Sequence, residues 1–218
     1  MDGVQVKFGE WIERGFSLYK ENFGLLVLTA LVVLVLSLVT LGILAGPMIA
    51  GLTVITLGLY DKKEPKPELR DLFRGFDYFL NAFLFFVVWF LIILVISAVL
   101  NVLPVIGQVL SLIFSYAAQT FLMFGIFLIV DEQRDFWPAS QDSINVVKTN
   151  FWPFFGLFLV ASIIGSIGAI ACGIGIIITA PIQACILTVA YREVFKNPDE
   201  KSAFGEPAMD ADASHEAT

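Results

Sequence analysis

The chain has 218 residues, of which 58% are hydrophobic and 15% charged, with a formal net charge of −7 and a mean hydropathy of +0.84. A soluble domain of this length carries about 25% charged and 45–50% apolar residues, and the excess here lies in long uninterrupted runs that suit a bilayer rather than a water-soluble core. The charge is uneven: in residues 197–218, Asp199, Glu200, Glu206, Asp210, Asp212 and Glu216 face only Lys201, giving −5 there and −2 for the rest. No basic surface of the kind that holds nucleic acid stands out.

The first segment, Met1 to Glu21, lacks the basic, apolar and small-residue order of a cleavable signal, so the first hydrophobic run is expected to stay as an anchor. Within it Phe8, Trp11, Ile12, Gly15 and Tyr19 recur at helical spacing, opposite Lys7, Glu10, Glu13, Arg14 and Ser17. That pattern predicts an amphipathic helix lying in the membrane interface. The block from Phe23 to Tyr60 follows. As one helix it would be about 57 Å long, against a hydrocarbon core about 30 Å thick, so a hairpin is expected, broken at Gly42, Gly46 and Pro47. Its arms are short, and a re-entrant loop is the alternative. Gly42 and Gly46 form a Gly-x-x-x-Gly pair suited to close helix packing.

The next connector repeats the amphipathic pattern, with Leu69, Leu72, Phe73, Phe76 and Leu80 opposed by Arg70, Asp71, Arg74 and Asp77. It leads into a second block, Phe79 to Val130, with breaks at Pro104 and Gly107. A third, weaker amphipathic segment starts at Pro138 and carries Ile144, Val147 and Phe151. The last block, Phe151 to Phe195, is interrupted between Gly165 and Gly175, and Ser162, Gly165, Ser166, Ala169 and Gly173 form a small-residue edge there. The polar tail, residues 197–218, is too poor in apolar residues to fold alone.

Lysine and arginine fall at the termini and in the two connectors, and the three hairpin tips carry none. Because cytoplasmic loops collect these residues, both ends and both connectors are expected in the cytoplasm, which requires an even number of spans. The expected fold class is therefore all-α: an integral membrane bundle of six transmembrane helices in three hairpins, each preceded by a cytoplasmic interfacial helix. One domain would cover residues 1–196, with repeats at about 4–60, 68–130 and 138–196. Arg14-Gly15-Phe16 with Tyr19 and Phe23 aligns with Arg74-Gly75-Phe76, Phe79 and Phe83. Lys20-Glu21-Asn22-Phe23 aligns with Lys148-Thr149-Asn150-Phe151, and Pro47-Met48-Ile49-Ala50 with Pro181-Ile182-Gln183-Ala184. Duplication of one unit and the shared demands of amphipathic helices feeding hairpins both account for this.

The lead-in ending Lys20-Glu21-Asn22-Phe23, the turn at Gly46-Pro47 with Gly51, and Leu72-Phe73-Arg74-Gly75-Phe76 together resemble uncharacterised bacterial six-helix membrane proteins of the YciC type. They are also similar to the membrane domain beside some glycerophosphodiester phosphodiesterases. The resemblance covers most of residues 7–196 and implies a multi-pass location in the bacterial inner membrane. It brings no catalytic residue, and the phosphodiesterase catalytic domain has no counterpart here.

No predicted span contains Asp, Glu, Lys, Arg or His, whereas proton-coupled carriers keep such residues for function. His215, the one histidine, sits in the tail without the spaced partners of a metal site, and no nucleophile–base set is visible. Cys172 and Cys185 are separated by about 20 Å of helix and read as packing residues. Gln108, Ser111, Ser115 and Gln119 share one face of the fourth span, with Gln183 of the sixth span as a facing candidate. They read either as a polar track for a small solute or headgroup, or as interhelical hydrogen bonds. Trp89 reads as packing, and Trp11, Trp137 and Trp152 as an interfacial belt. The expected function is non-enzymatic: a cell-membrane factor that supports envelope assembly or organises partner proteins. No cofactor is expected; the partners are the lipid bilayer and a membrane or cytosolic protein, not nucleic acid. A small transporter or channel for a neutral or amphiphilic solute is the alternative.

Overall fold

The computed structural model describes residues 7–103, 105–170 and 175–196, and every regular element among them is helical. In chain order these are α1 (Phe8–Glu21), α2 (Phe23–Val39), α3 (Ala45–Tyr60), a 3-10 helix (Leu69–Tyr78), α4 (Phe79–Leu100), α5 (Ile106–Leu122), α6 (Gly125–Asp131), α7 (Phe136–Thr149), α8 (Phe151–Ile170) and α9 (Gly175–Lys196). Four stretches are long and apolar enough to cross a membrane: the 3-10 helix with α4, α5 with α6, α8, and α9. A fifth is obtained if α1 and α2, bent by 90° at Asn22, count as one; α3 is a shorter apolar helix of 16 residues. These helices are compatible with a multi-pass membrane protein. The acidic tail and Cys172 lie outside the described residues.

Burial sorts the helices into two sets. Helices α3 and α6 bury most of their residues and α9 buries half, and these three form the core, whereas α2 and α4 bury only a few near their starts. The outer surface is correspondingly apolar. On α4, Phe90, Leu94, Val95 and Val99 are half or more exposed, and at the α2–α3 turn Leu41 is 93% exposed. Water would penalise such a surface and acyl chains would not.

The amphipathic segments pack on core helices. Gly15 of α1 lies against Ile186 of α9, so closely that a Cβ would come 2.7 Å from the Ile186 Cα. Gly75 of the 3-10 helix lies against α3, where a Cβ would come 2.0 Å from the Pro47 carbonyl oxygen. Ser143 of α7 sits at the break between α5 and α6; its hydroxyl donates to Phe121 O (2.7 Å) and accepts from Phe124 N–H (3.2 Å). It thereby satisfies groups that the interrupted ladder would leave unpaired.

Several local expectations are corrected. Gly46 and Pro47 are not in the turn but in the first turn of α3, where a proline loses no helical hydrogen bond. Gly46 instead lets the α4 backbone approach at Ala82, and the turn is made by Gly42 at φ +86°. Gly107 likewise belongs to the first turn of α5, and Gly165 to α8. The second amphipathic segment is 3-10 rather than α-helical. Its i, i+3 stacking puts Leu72 and Gly75 together on α3 and leaves Phe73 and Phe76 on an exposed ring ladder with Phe79 and Phe83. Trp11 is not a belt residue: it is 1% exposed and stacked on Phe154, within an aromatic cluster that continues through Phe124 to Tyr191 and Phe195.

Candidate functional site at the ends of the core helices

Charge converges where the three core helices end. Asp61 caps α3, Asp131 is the last residue of α6, and Arg192 lies near the end of α9. The Arg192 guanidinium bridges the other two: Nη2 donates to Asp61 Oδ2 at 2.6 Å and Nη1 to Asp131 Oδ2 at 2.8 Å. Asp131 also accepts from Tyr191 Oη at 3.0 Å and pairs with Lys196 Nζ at 3.2 Å. The side chains of Arg192, Asp131 and Asp61 are 8%, 13% and 26% exposed, so the centre is largely withdrawn from water and its rim is not. One atom is left over: Arg192 Nε is buried without a hydrogen-bond partner.

The next residue extends the network. Glu193 accepts from Arg14 Nη1 of α1 at 2.7 Å and from Tyr60 Oη of α3 at 3.4 Å, and Arg14 also pairs with Glu10 one turn back at 2.5 Å. A fork-shaped guanidinium is suited to holding two carboxylates at fixed angles. Desolvating such groups offsets much of their attraction, so the cluster contributes to the alignment of three helices more than to net stability. The expectation of spans without charge is therefore corrected at α9, which runs through Arg192 and Glu193 to Lys196.

Beside this network is a groove of about 940 Å³ between α1 and residues 58–67. One wall carries Glu10, Glu13 and Glu21 of α1, the other Lys62, Lys63 and Lys66 of the connector. The three lysines form no ion pair among the described residues. A smaller cavity of about 410 Å³ lies between α4 and α7, lined by Trp89, Trp137, Gln141, Asn145 and Lys148 among others. Among the described residues, no three His, Cys, Asp or Glu side chains come together as a metal-binding group.

Of the polar residues singled out on α5 and α9, all but Gln108 make side-chain hydrogen bonds among the described residues, and they do so in two separate places. On α5, Ser115 Oγ lies 3.3 Å from Ser97 Oγ of α4, and Ser111 Oγ accepts from Asn101 Nδ2 at 3.5 Å. Gln119 is exposed and donates to the Ser115 carbonyl at 3.1 Å; Gln108 is exposed near the start of α5. Gln183 of α9 turns to α8, donating to Ser162 Oγ at 3.1 Å, and its side chain lies against Gly165. The Asp61–Arg192–Asp131 cluster was missed from sequence. Its signal was present: Asp61 and Asp131 directly follow the first two apolar blocks, and Arg192, of opposite sign, lies near the end of the third. No protein-family model, curated protein or solved structure matches the chain.

Proposed function

We propose that the chain is a six-span membrane protein built of three units, each an interfacial helix followed by a transmembrane hairpin, with both termini and both charged connectors in the cytoplasm. It works without catalysis, organising partner proteins or supporting envelope assembly through its cytoplasmic face. The observation that carries this reading is the groove between α1 and residues 58–67, a wide recess in which lysines that form no ion pair among the described residues stand opposite glutamates, braced by the Arg192 network. Recesses with charge of both signs favour recognition of a complementary surface. The stripe on α5 supports the same side of the argument, because Ser111 and Ser115 spend their hydroxyls on α4 instead of on a solute path.

Cysteine accessibility in intact cells tests it, on a chain carrying Cys172→Ala and Cys185→Ala. An impermeant thiol reagent is expected to label Asn101→Cys and to leave Asp135→Cys untouched, while small reagents fail to reach Ser111→Cys and Ser115→Cys. Labelling of Asp135→Cys from outside overturns the topology. Rapid reaction at both serine positions with the topology intact overturns the partner-organising role in favour of solute transport.

A further inference from the structure

We infer that the cavity between α4 and α7 is a binding site for the phosphate headgroup of an anionic phospholipid. Its floor is a parallel indole pair, Trp89 of α4 and Trp137 of α7, with centroids 6.5 Å apart and planes within 2°. Trp89 is fixed there because its Nε1 donates to Ser140 Oγ at 2.9 Å. The wall is the outward face of α7, where Gln141, Asn145 and Lys148 follow at helical spacing and are all exposed. None of these three side chains has a hydrogen bond or ion pair among the described residues. Two free amides and an ammonium group beside an aromatic floor form a donor set suited to phosphate oxygens, and indoles favour the boundary between apolar and wet surroundings.

What lies beyond the cavity gives the class of ligand. The exposed apolar flank of α4 begins one residue past Trp89, with Phe90, Leu91, Leu94 and Val95 all half or more exposed. A phosphate held by Lys148 and Asn145 would leave acyl chains free to run along that flank. A soluble phosphate ester has the same headgroup chemistry but no use for the flank, so the lipid is the occupant assigned. The site rests on the bilayer placement proposed above.

The test uses the full chain in lipid nanodiscs with Trp152→Phe, which removes the most exposed indole; Trp11, at 1% exposure, stays out of reach of a quencher. Trp89 and Trp137 then report on the cavity. Brominated phosphatidylglycerol is expected to quench them at roughly five-fold lower mole fraction than brominated phosphatidylcholine, the factor matching about 1 kcal/mol per basic residue at a membrane surface. Lys148→Ala and Asn145→Asp should each abolish that preference, and Lys20→Ala, on α1, should leave it. Equal quenching by the two lipids, or a preference that survives both pocket variants, overturns the site. Relief by millimolar glycerol phosphate overturns the lipid assignment in favour of a soluble ester. Quenching by neither lipid would show that the bilayer placement itself is wrong.

Discussion

Removing the Arg192 side chain tests whether the charge cluster joins the core. Truncating one member of a buried ion pair costs about 3–5 kcal/mol, because the remaining charge is left buried and unpaired. Here Asp131 would keep Lys196 and Tyr191, and Asp61 at 26% exposure could recover water. The expected loss for Arg192→Ala is therefore near the lower end, about 3 kcal/mol. At about 2–4 °C per kcal/mol for a chain of this size, the melting midpoint falls by about 6–12 °C. Arg70→Ala is the internal control: its pair with Glu68 is 74% and 60% exposed, and such pairs contribute less than about 1 kcal/mol. Thermal unfolding of the purified protein in one detergent measures both. The double variant Arg192→Ala with Asp131→Ala should lose less than the two single losses added, by about 1–3 kcal/mol of coupling. If Arg192→Ala shifts the midpoint no more than Arg70→Ala, or if the double variant is additive, the cluster is solvated and the reasoning fails.

Close backbone approach makes a sharp pair of glycine predictions. A Cβ on Gly75 would meet the Pro47 carbonyl oxygen at 2.0 Å and the Gly51 nitrogen at 2.5 Å, whereas one on Gly9 meets nothing within 4 Å. Gly75→Ala should abolish accumulation of folded protein, and Gly9→Ala should be neutral or stabilise by up to about 1 kcal/mol; equal behaviour in a solubilised-yield assay would contradict this. Ser143→Ala should cost about 1–3 kcal/mol by stranding Phe121 O and Phe124 N–H, and the Phe124 amide should exchange faster with deuterium. Unchanged exchange there would mean that the break between α5 and α6 does not depend on α7.

The helical elements were legible because their cause is local. Apolar runs longer than a bilayer and 3.6-residue stripes can be read without knowing what packs on what, and the starts of α2, α4 and α8 match the predicted block starts at Phe23, Phe79 and Phe151. The errors arose where a neighbour decides. Gly46, Pro47 and Gly107 look like turn residues but lie in the first turns of helices, and the two glycines are there because the Ala82 and Leu100 carbonyls leave no room for a Cβ. Trp11 reads as an interfacial anchor until Phe154 covers it. The candidate site failed to show for the same reason. Asp61, Asp131 and Arg192 are far apart in sequence, and a charge at the end of an apolar run ordinarily marks a membrane boundary.

The packing adds a step that aligned residues alone did not give. In terms of the three units proposed above, each amphipathic segment docks on a helix of a neighbouring one: the 3-10 helix on α3 of the first, α7 on the α5–α6 break of the second, and α1 on α9 of the third. The order is cyclic, and the third contact joins the start of the chain to its end. The small residue at each contact also occupies matching places in the aligned segments, because Gly15 pairs with Gly75 by the Arg-Gly-Phe alignment and with Ser143 by the Asn22–Asn150 alignment. Where the third unit has serine instead of glycine, the core helix it meets is broken, and the hydroxyl mends the break. Asp61, Asp131 and Arg192 then fall where the three units meet at one end. A cyclic arrangement has no terminal unit to fray first, so opening it requires separating at least two of these contacts together. The charge reversal at Arg192 suits such a closure, since three carboxylates at that point would repel and one guanidinium between two carboxylates holds them.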